Sequence, residues 1–397
     1  MDIGRITPPR LRTQEQEAER TATWLELFYD LAFVVAVAVL SARLLGDITL
    51  VGVASFFAYF ALLWWLWASH TYYADRYDTD DLIYRVLAAA QMATIVVVAA
   101  ALSGETQSTA AFATGYALAR ILLVIMYTRA YRHVPKTRDL VRGYLIGFGI
   151  AAAVWTAAIF VPESLRFALW VVALTIDLAT PWVMRKEQAK VPLDVSHLPE
   201  RFGLFTILVL GESIAAVVAA VTHSGWAPAS VLALIASIGI ATTFWWLYFD
   251  NARGGIVRRD ASVRRTWRPT GWIYTHLPLA AALAALAVAM ERATDESVGG
   301  TLHVADRWLL LGSASLALAS LAMVQFASST GPEDLQSRGI VINRFLGVVV
   351  LVAFGFLTDV RPVWMLVAVL GVGIAELIGD MAVSGSPEAE FESERMK

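Results

Sequence analysis

Glu26 and Asp30 stand four residues apart in Leu25-Glu26-Leu27-Phe28-Tyr29-Asp30-Leu31, at the head of an almost wholly apolar stretch that runs to Leu45. Four residues is about one helical turn, so the two carboxylates share a face. An acid in lipid costs about 2.5–3.5 kcal/mol even on a lenient insertion scale, so a chain that keeps one shields it or uses it. Glu26 also has a structural explanation. Thr23-Trp24-Leu25-Glu26 fits a capping box, in which Thr23 caps the helix and Glu26 reaches back to its backbone N–H. Glu200, beside Pro199, fits the same role. Asp30 lies one turn deeper, where a polar path and a structural ion pair are both open readings.

Other charges sit deeper in apolar runs. Arg120 and Glu212 are each ten residues into theirs, near the midplane, and Asp177 and Glu376 lie in the cytoplasmic halves of two more. Asp250 and Asp380 are close enough to the inner interface to snorkel. Four acids, Asp30, Asp177, Glu212 and Glu376, therefore confront a single base, Arg120, which should pair with one or two of them. The surplus points to proton-coupled transport or a cation path, with a static hydrogen-bonded network as the alternative. Gly211 and Ser213 flank Glu212 with a small residue and a hydroxyl, suited to close approach by a helix or a substrate.

The elements that carry these residues follow from composition. The 397 residues are 58% hydrophobic and 16% charged, against about 25% charged in an ordinary soluble domain, and the mean hydropathy is +0.60. A helix crosses a bilayer with about 20 apolar residues. Twelve such runs occur, at 25–45, 48–69, 82–102, 110–130, 141–161, 164–184, 202–221, 229–250, 272–290, 308–327, 340–358 and 362–383. The expected fold is an all-α integral membrane protein.

Of the 31 Lys and Arg, 25 fall in predicted cytoplasmic segments. Arg43, Arg166, Arg292, Arg307 and Arg361 fall outside, and Arg120 alone is placed within a span. That bias puts both termini in the cytoplasm of a cell whose inner membrane holds the chain. Residues 1–23 read as a polar cytoplasmic segment without a cleavable signal, and 386–397 as an acidic cytoplasmic tail.

Trp-Trp occurs twice, in Trp64-Trp65-Leu66-Trp67 and Trp245-Trp246-Leu247-Tyr248, an offset of 181. Glu26-Leu27-Phe28 faces Glu200-Arg201-Phe202 at an offset of 174, and Asp177-Leu178 loosely matches Glu376-Leu377. Each match sets run n beside run n+6, which divides the chain into parallel six-helix repeats at 24–190 and 191–385. The Trp clusters are expected in an aromatic belt at the cytoplasmic interface, with a vestibule lining as the alternative. Gly143 and Gly147 have small-xxx-small spacing and predict a helix contact.

The absence of cysteine excludes disulfides, thiolate metal sites and cysteine nucleophiles. No phosphate loop, His-Glu-x-x-His or dinucleotide fingerprint occurs, and no cofactor or metal is expected. Arg253, Arg258, Arg259, Arg264, Arg265 and Arg268 form a basic stretch best matched to anionic lipid headgroups. The other expected partners are a small solute or ion and, as an open option, a second copy of the chain; nucleic acid is not expected. Tyr29-Asp30 and Gly379-Asp380 resemble the two-aspartate motifs of intramembrane proteases. They lie in the first and last runs, and the expectation is that the chain is no enzyme.

Glu-Leu-Phe-Tyr-Asp-Leu-Ala-Phe-Val (26–34), together with Pro-Glu-Arg-Phe-Gly-Leu-Phe and Leu-Gly-Glu-Ser-Ile within 199–214, resembles the low temperature requirement A (LtrA) family of bacterial membrane proteins. The resemblance spans nearly the whole chain and implies a membrane location and twelve helices. It names no substrate. Phe28 to Val34 is also similar to the Phe-Ser-Asp motif opening each six-helix repeat of an endolysosomal potassium channel family. Tyr29 replaces the serine there, and Phe202-Gly203-Leu204 lacks the aspartate. Three functions are therefore carried forward: a proton-coupled secondary transporter of a small solute, a cation channel, and a non-transporting lipid-interacting or regulatory protein.

Overall fold

The computed structural model describes residues 6–11, 22–78, 80–103, 108–191, 197–224, 226–251, 268–329 and 335–384. Among these, twelve helices are long and apolar enough to cross a membrane. They are α1 (Trp24–Gly46), α2 (Leu50–Arg76), α3 (Leu82–Leu102), α4 (Thr109–His133), α5 (Arg138–Ile159) and α6 (Glu163–Val183), then α7 (His197–Ser224), α8 (Pro228–Asn251), α9 (Arg268–Asp295), α10 (Val304–Ser328), α11 (Leu335–Phe354) and α12 (Pro362–Ser384). A short helix, Arg185–Lys190, follows α6, and Arg10–Leu11 pairs antiparallel with Tyr77–Asp78 beyond α2. The expectation of an all-α membrane fold with twelve spans holds.

Local chemistry sets the helix starts. The α1 capping box is formed: the Thr23 N–H donates to Glu26 Oε2 at 2.8 Å, and the Glu26 N–H donates to Thr23 Oγ1 at 3.3 Å. Asp81 caps α3 by accepting from the Tyr84 N–H at 3.1 Å, and Ser108 caps α4 by accepting from Ala111. Asp81 also takes Arg129 at 2.6 Å and the Thr7 N–H at 3.3 Å. Burial pushes its carboxyl up, but the Arg129 and backbone hydrogen bonds outweigh this and hold it below the usual carboxylate range. Glu200 stands in the first turn of α7, as expected of an acid at a helix start. It also accepts from the Ala22 N–H at 3.2 Å, ahead of α1.

The described residues fall into two compact units, one drawn from 1–40, 58–201 and 260–270, the other from 41–57, 202–259 and 271–397. In the first, α3 packs on α4, α4 on α5 and α5 on α6. In the second, α10 packs on α11, α11 on α12, and α12 on α8. Both units carry exposed apolar side chains along their spans, such as Val96, Ile146 and Val171 in one and Ile235, Ile342 and Val349 in the other. That outward face suits a hydrocarbon solvent, which asks only that backbone polar groups be satisfied within the helix. The middle of α9 is the reverse, with every residue from Leu279 to Met290 buried. Most of these are alanines, which let neighbouring backbones come close.

The Gly143 and Gly147 contact is present. Side chains at these positions would run into Met184 and Thr180, so the α5–α6 crossing depends on their absence. Gly147→Leu should destabilise the first unit by about 1–3 kcal/mol through overpacking. Gly149, with nothing within 4 Å of a Cβ, should tolerate alanine without loss. Unfolding by SDS titration in mixed micelles compares the two directly.

Arg253, Arg258, Arg259, Arg264 and Arg265, part of the linker at 192–196, and the tail from 385 lie outside the described residues. Arg268 opens α9 and is buried.

Candidate functional site

Burial along α1 repeats with the helical period. Glu26, Tyr29, Asp30, Phe33, Val37 and Leu40 face inward, whereas Phe28, Leu31 and Val35 are exposed. The two carboxylates thus share the inner face, as their spacing predicts. What they meet there was not foreseen. The first turn of α7 contributes His197 and Arg201, again four residues apart, and α2 contributes Trp67 and Asp75; all are buried.

Arg201 Nη2 donates to Asp30 Oδ1 at 2.6 Å, and the Trp67 indole donates to the same oxygen at 2.8 Å. Arg201 Nη1 lies 3.7 Å from Glu26 Oε2. His197 sits between two acids, with Nε2 3.4 Å from Glu26 Oε2 and Nδ1 3.1 Å from Asp75 Oδ1. A neutral imidazole has one donor and one acceptor nitrogen, yet both nitrogens here face carboxylate oxygens. Hydrogen bonds on both sides require an imidazolium or a proton on one of the acids. The trio therefore holds a proton beyond the count for a neutral histidine between two ionised carboxylates.

A second buried ion pair lies in the same unit. Arg120 Nη2 bonds Asp177 Oδ1 and Nη1 donates to Ser69 Oγ at 2.7 Å. The guanidinium lies over the Phe148 ring at 4.8 Å, and the Trp155 and Trp65 indoles are further polar neighbours of Asp177. Trp67 and Ser69 are two residues apart on α2 and so project in different directions. One reaches Asp30 and the other Arg120, which leaves α2 standing between the two ion pairs. Beside them, Tyr29 stacks on His70 with ring centroids 4.0 Å apart. His70 Nδ1 lies 2.7 Å from Gln91 Oε1, whose amide nitrogen donates to the Ala119 carbonyl at 3.3 Å.

The second unit has its own cluster. Arg344 Nη1 donates to Glu376 Oε2 at 2.7 Å and to Asp380 Oδ1 at 3.1 Å, and Nη2 donates to Asp380 Oδ2 at 2.5 Å. Asn343 Nδ2 completes it with bonds to the Glu376 carbonyl at 2.9 Å and Asp380 Oδ1 at 3.1 Å. Gly347 and Gly379 leave the space that Glu376 and Asn343 fill.

These contacts overturn the charge count made from sequence. Arg120 is not the one base within the spans, because Arg201 and Arg344 are also buried there. Asp30, Asp177 and Glu376 are each matched to an arginine rather than left in surplus. Asp380 does not snorkel; it is buried and bound by Arg344. Trp64, Trp65 and Trp67 are core residues rather than an interfacial belt, whereas Trp245 and Trp246 are exposed. Glu212 is half-buried and makes no hydrogen bond or ion pair with a described residue. Ser213 turns inward and donates to the Leu210 carbonyl at 2.5 Å. Among the described residues nothing lies within 4 Å of a Cβ at Gly211, so no described helix approaches closely there.

A comparison with known proteins bears on the whole of this arrangement. Residues 21–378 match the family described as Bacterial low temperature requirement A protein (LtrA). The chain belongs to the LtrA family. The match covers every residue of the three charged clusters except Asp380. A relative in Rhizobium meliloti (strain 1021), described as uncharacterized protein RA0937, is 26% identical over 353 residues, covering 86% of this chain and 84% of the relative. No solved structure matches. Twelve helices, a multi-pass membrane protein and LtrA membership thus stand together.

Proposed function

We propose that this LtrA-family protein is a proton-coupled secondary transporter of a small solute, loading its proton at Glu26, His197 and Asp75. One observation carries the reading: both imidazole nitrogens of His197 face carboxylates, in a buried setting one helical turn from the Arg201–Asp30 pair. Buried ionisable groups in membrane spans recur along proton relays. A proton on Glu26 would remove one claim on Arg201, 3.7 Å away, and leave the guanidinium to Asp30. Loading would thereby change the tie between α1 and the start of α7. Glu212 is not among the exchanging groups, because no described residue gives it the charged neighbours such coupling needs.

The finer architecture belongs to the same proposal. We take the two six-helix halves as parallel repeats, supported by corresponding packing: α4–α5 and α5–α6 in one unit, α10–α11 and α11–α12 six positions on. Tyr59 meets Trp170 between α2 and α6, and Gly239 meets Leu370 between α8 and α12. The Lys and Arg bias supports an inner-membrane protein with both termini cytoplasmic.

The test uses the full chain in liposomes loaded with a small-molecule extract of bacterial cytoplasm, under an imposed pH gradient. Mass spectrometry should find at least one solute whose efflux follows the gradient. Glu26→Gln and His197→Gln should each bring that efflux down to the level of empty liposomes. No gradient-dependent solute with the wild-type chain, or equal efflux with both variants, refutes the reading.

A further inference from the structure

Arg120, Arg201 and Arg344 each meet a carboxylate within the ion-pair range. Arg76, the last residue of α2, does not. It is 2% exposed, and among the described residues its Nη2 donates to Gln188 Oε1 at 3.2 Å. Gln188 is itself held, donating to the Pro181 carbonyl at 2.5 Å. The Nε and Nη1 groups of Arg76 are buried with no hydrogen-bond partner among the described residues. Asp75, its neighbour in sequence, directs Oδ1 at His197 and acts on Arg76 only from beyond ion-pair range. An arginine cannot shed its charge in a protein, so this cation is kept although no carboxylate among the described residues lies within ion-pair range of it.

The surroundings of Arg76 are aromatic and donor-rich. Its guanidinium carbon lies 5.6 Å from the Tyr72 ring centre and 5.9 Å from that of Tyr144. Tyr127 sets its ring edge-on to Tyr144 with centroids 5.2 Å apart. Among the described residues the hydroxyls of Tyr127 and Tyr144 are likewise buried with no partner within hydrogen-bond distance, and the Tyr144 hydroxyl is turned to the Arg76 guanidinium. Four unpaired donor atoms from α2, α4 and α5 are therefore gathered around one positive charge. Buried polar groups in folded proteins are almost always satisfied, so this set calls for an acceptor. Neutral water would satisfy the donors but not the charge.

We propose that Arg76, with the hydroxyls of Tyr127 and Tyr144, binds a small monocarboxylate anion. A single cation balances a single negative charge. The planar guanidinium fork matches two carboxylate oxygens, and phenol hydroxyls supply further donors to the same oxygens. Tyrosine faces suit the apolar remainder of such an acid. The site goes beyond the proton-loading reading and does not depend on it, because binding is an equilibrium property of the first unit.

Isothermal titration calorimetry of the full chain in nanodiscs tests this, with acetate and benzoate as probes and inorganic phosphate and chloride as competitors. The carboxylates should bind saturably, and phosphate and chloride should displace them poorly. Arg76→Lys keeps the charge but loses the fork, and should weaken binding about ten-fold. Tyr144→Phe removes one hydroxyl from a side chain of unchanged shape, and should weaken it about five-fold. Tyr131→Phe, on the exposed part of α4, should leave affinity unchanged. The proposal is overturned by absence of saturable carboxylate binding to the wild-type chain, by phosphate or chloride binding as tightly as the carboxylates, or by unchanged affinity in both Arg76→Lys and Tyr144→Phe. None of those results would touch proton loading at His197.

Discussion

Arg201→Gln should be the most damaging single substitution in the first unit, with an expected loss of about 3–5 kcal/mol. Arg201 is the cation that faces both Asp30, at 2.6 Å, and Glu26, at 3.7 Å, and all three are buried. Its removal leaves Asp30 with the Trp67 indole as the remaining donor to Oδ1. A carboxylate buried without its counter-ion costs more than the pair gains, which is why breaking a buried pair is worse than deleting it. Asp30→Asn added to Arg201→Gln should therefore recover most of the loss. SDS-titration unfolding of the two single variants and the double variant reads this as a coupling energy. Additive losses would show that the pair does not act as a unit.

Removing Arg120 should be nearly as costly, again about 3–5 kcal/mol for Arg120→Leu, because Asp177 is enclosed with it among Trp155, Trp65 and Phe148. Here the double replacement should go further than recovery. Leu at both positions exchanges an ion pair for apolar volume in a site walled by aromatic rings, and such exchanges are neutral or stabilising in other proteins. The two pairs should also separate by function. Arg120→Leu with Asp177→Leu should keep the pH-driven solute efflux, since these residues touch neither Glu26 nor His197. The Asp30 and Arg201 double variant should lose that efflux while remaining folded. Stability measured beside efflux for both double variants distinguishes a structural pair from a coupled one.

The twelve helices, the α1 capping box and the Gly143–Gly147 contact were legible in the sequence because each follows from local rules: apolar length, cap spacing and small-residue spacing. The clusters were legible only in part. Glu26, Asp30, Arg120, Asp177 and Glu376 stood out as charges within apolar runs. Arg201 and Arg344 did not, because one precedes the apolar run at 202–221 and the other stands near the start of the run at 340–358, where a basic residue reads as an interfacial anchor. Burial there comes from tertiary neighbours: α1 and α2 enclose Arg201, and α12 encloses Arg344. The same confusion placed Trp64, Trp65 and Trp67 in a belt, since an aromatic near a helix end looks alike whether it meets headgroups or core. His197 and Arg201 did carry a usable signal in their four-residue spacing, which repeats that of Glu26 and Asp30. Glu212 misled for the converse reason. Depth along α7 was readable, but the direction in which its side chain points was not.

Direct observation of the His197 imidazole decides the central claim. Nitrogen-15 NMR of the full chain in nanodiscs, with His197→Gln to assign the signal, follows its protonation across a range that begins at about pH 5 and extends well above about pH 8, where ordinary histidines have finished titrating. The imidazole should change protonation state within that range, and its midpoint should move when Glu26 is replaced by glutamine. A ring that keeps one state throughout, in both the wild-type chain and Glu26→Gln, would contradict proton loading at this site.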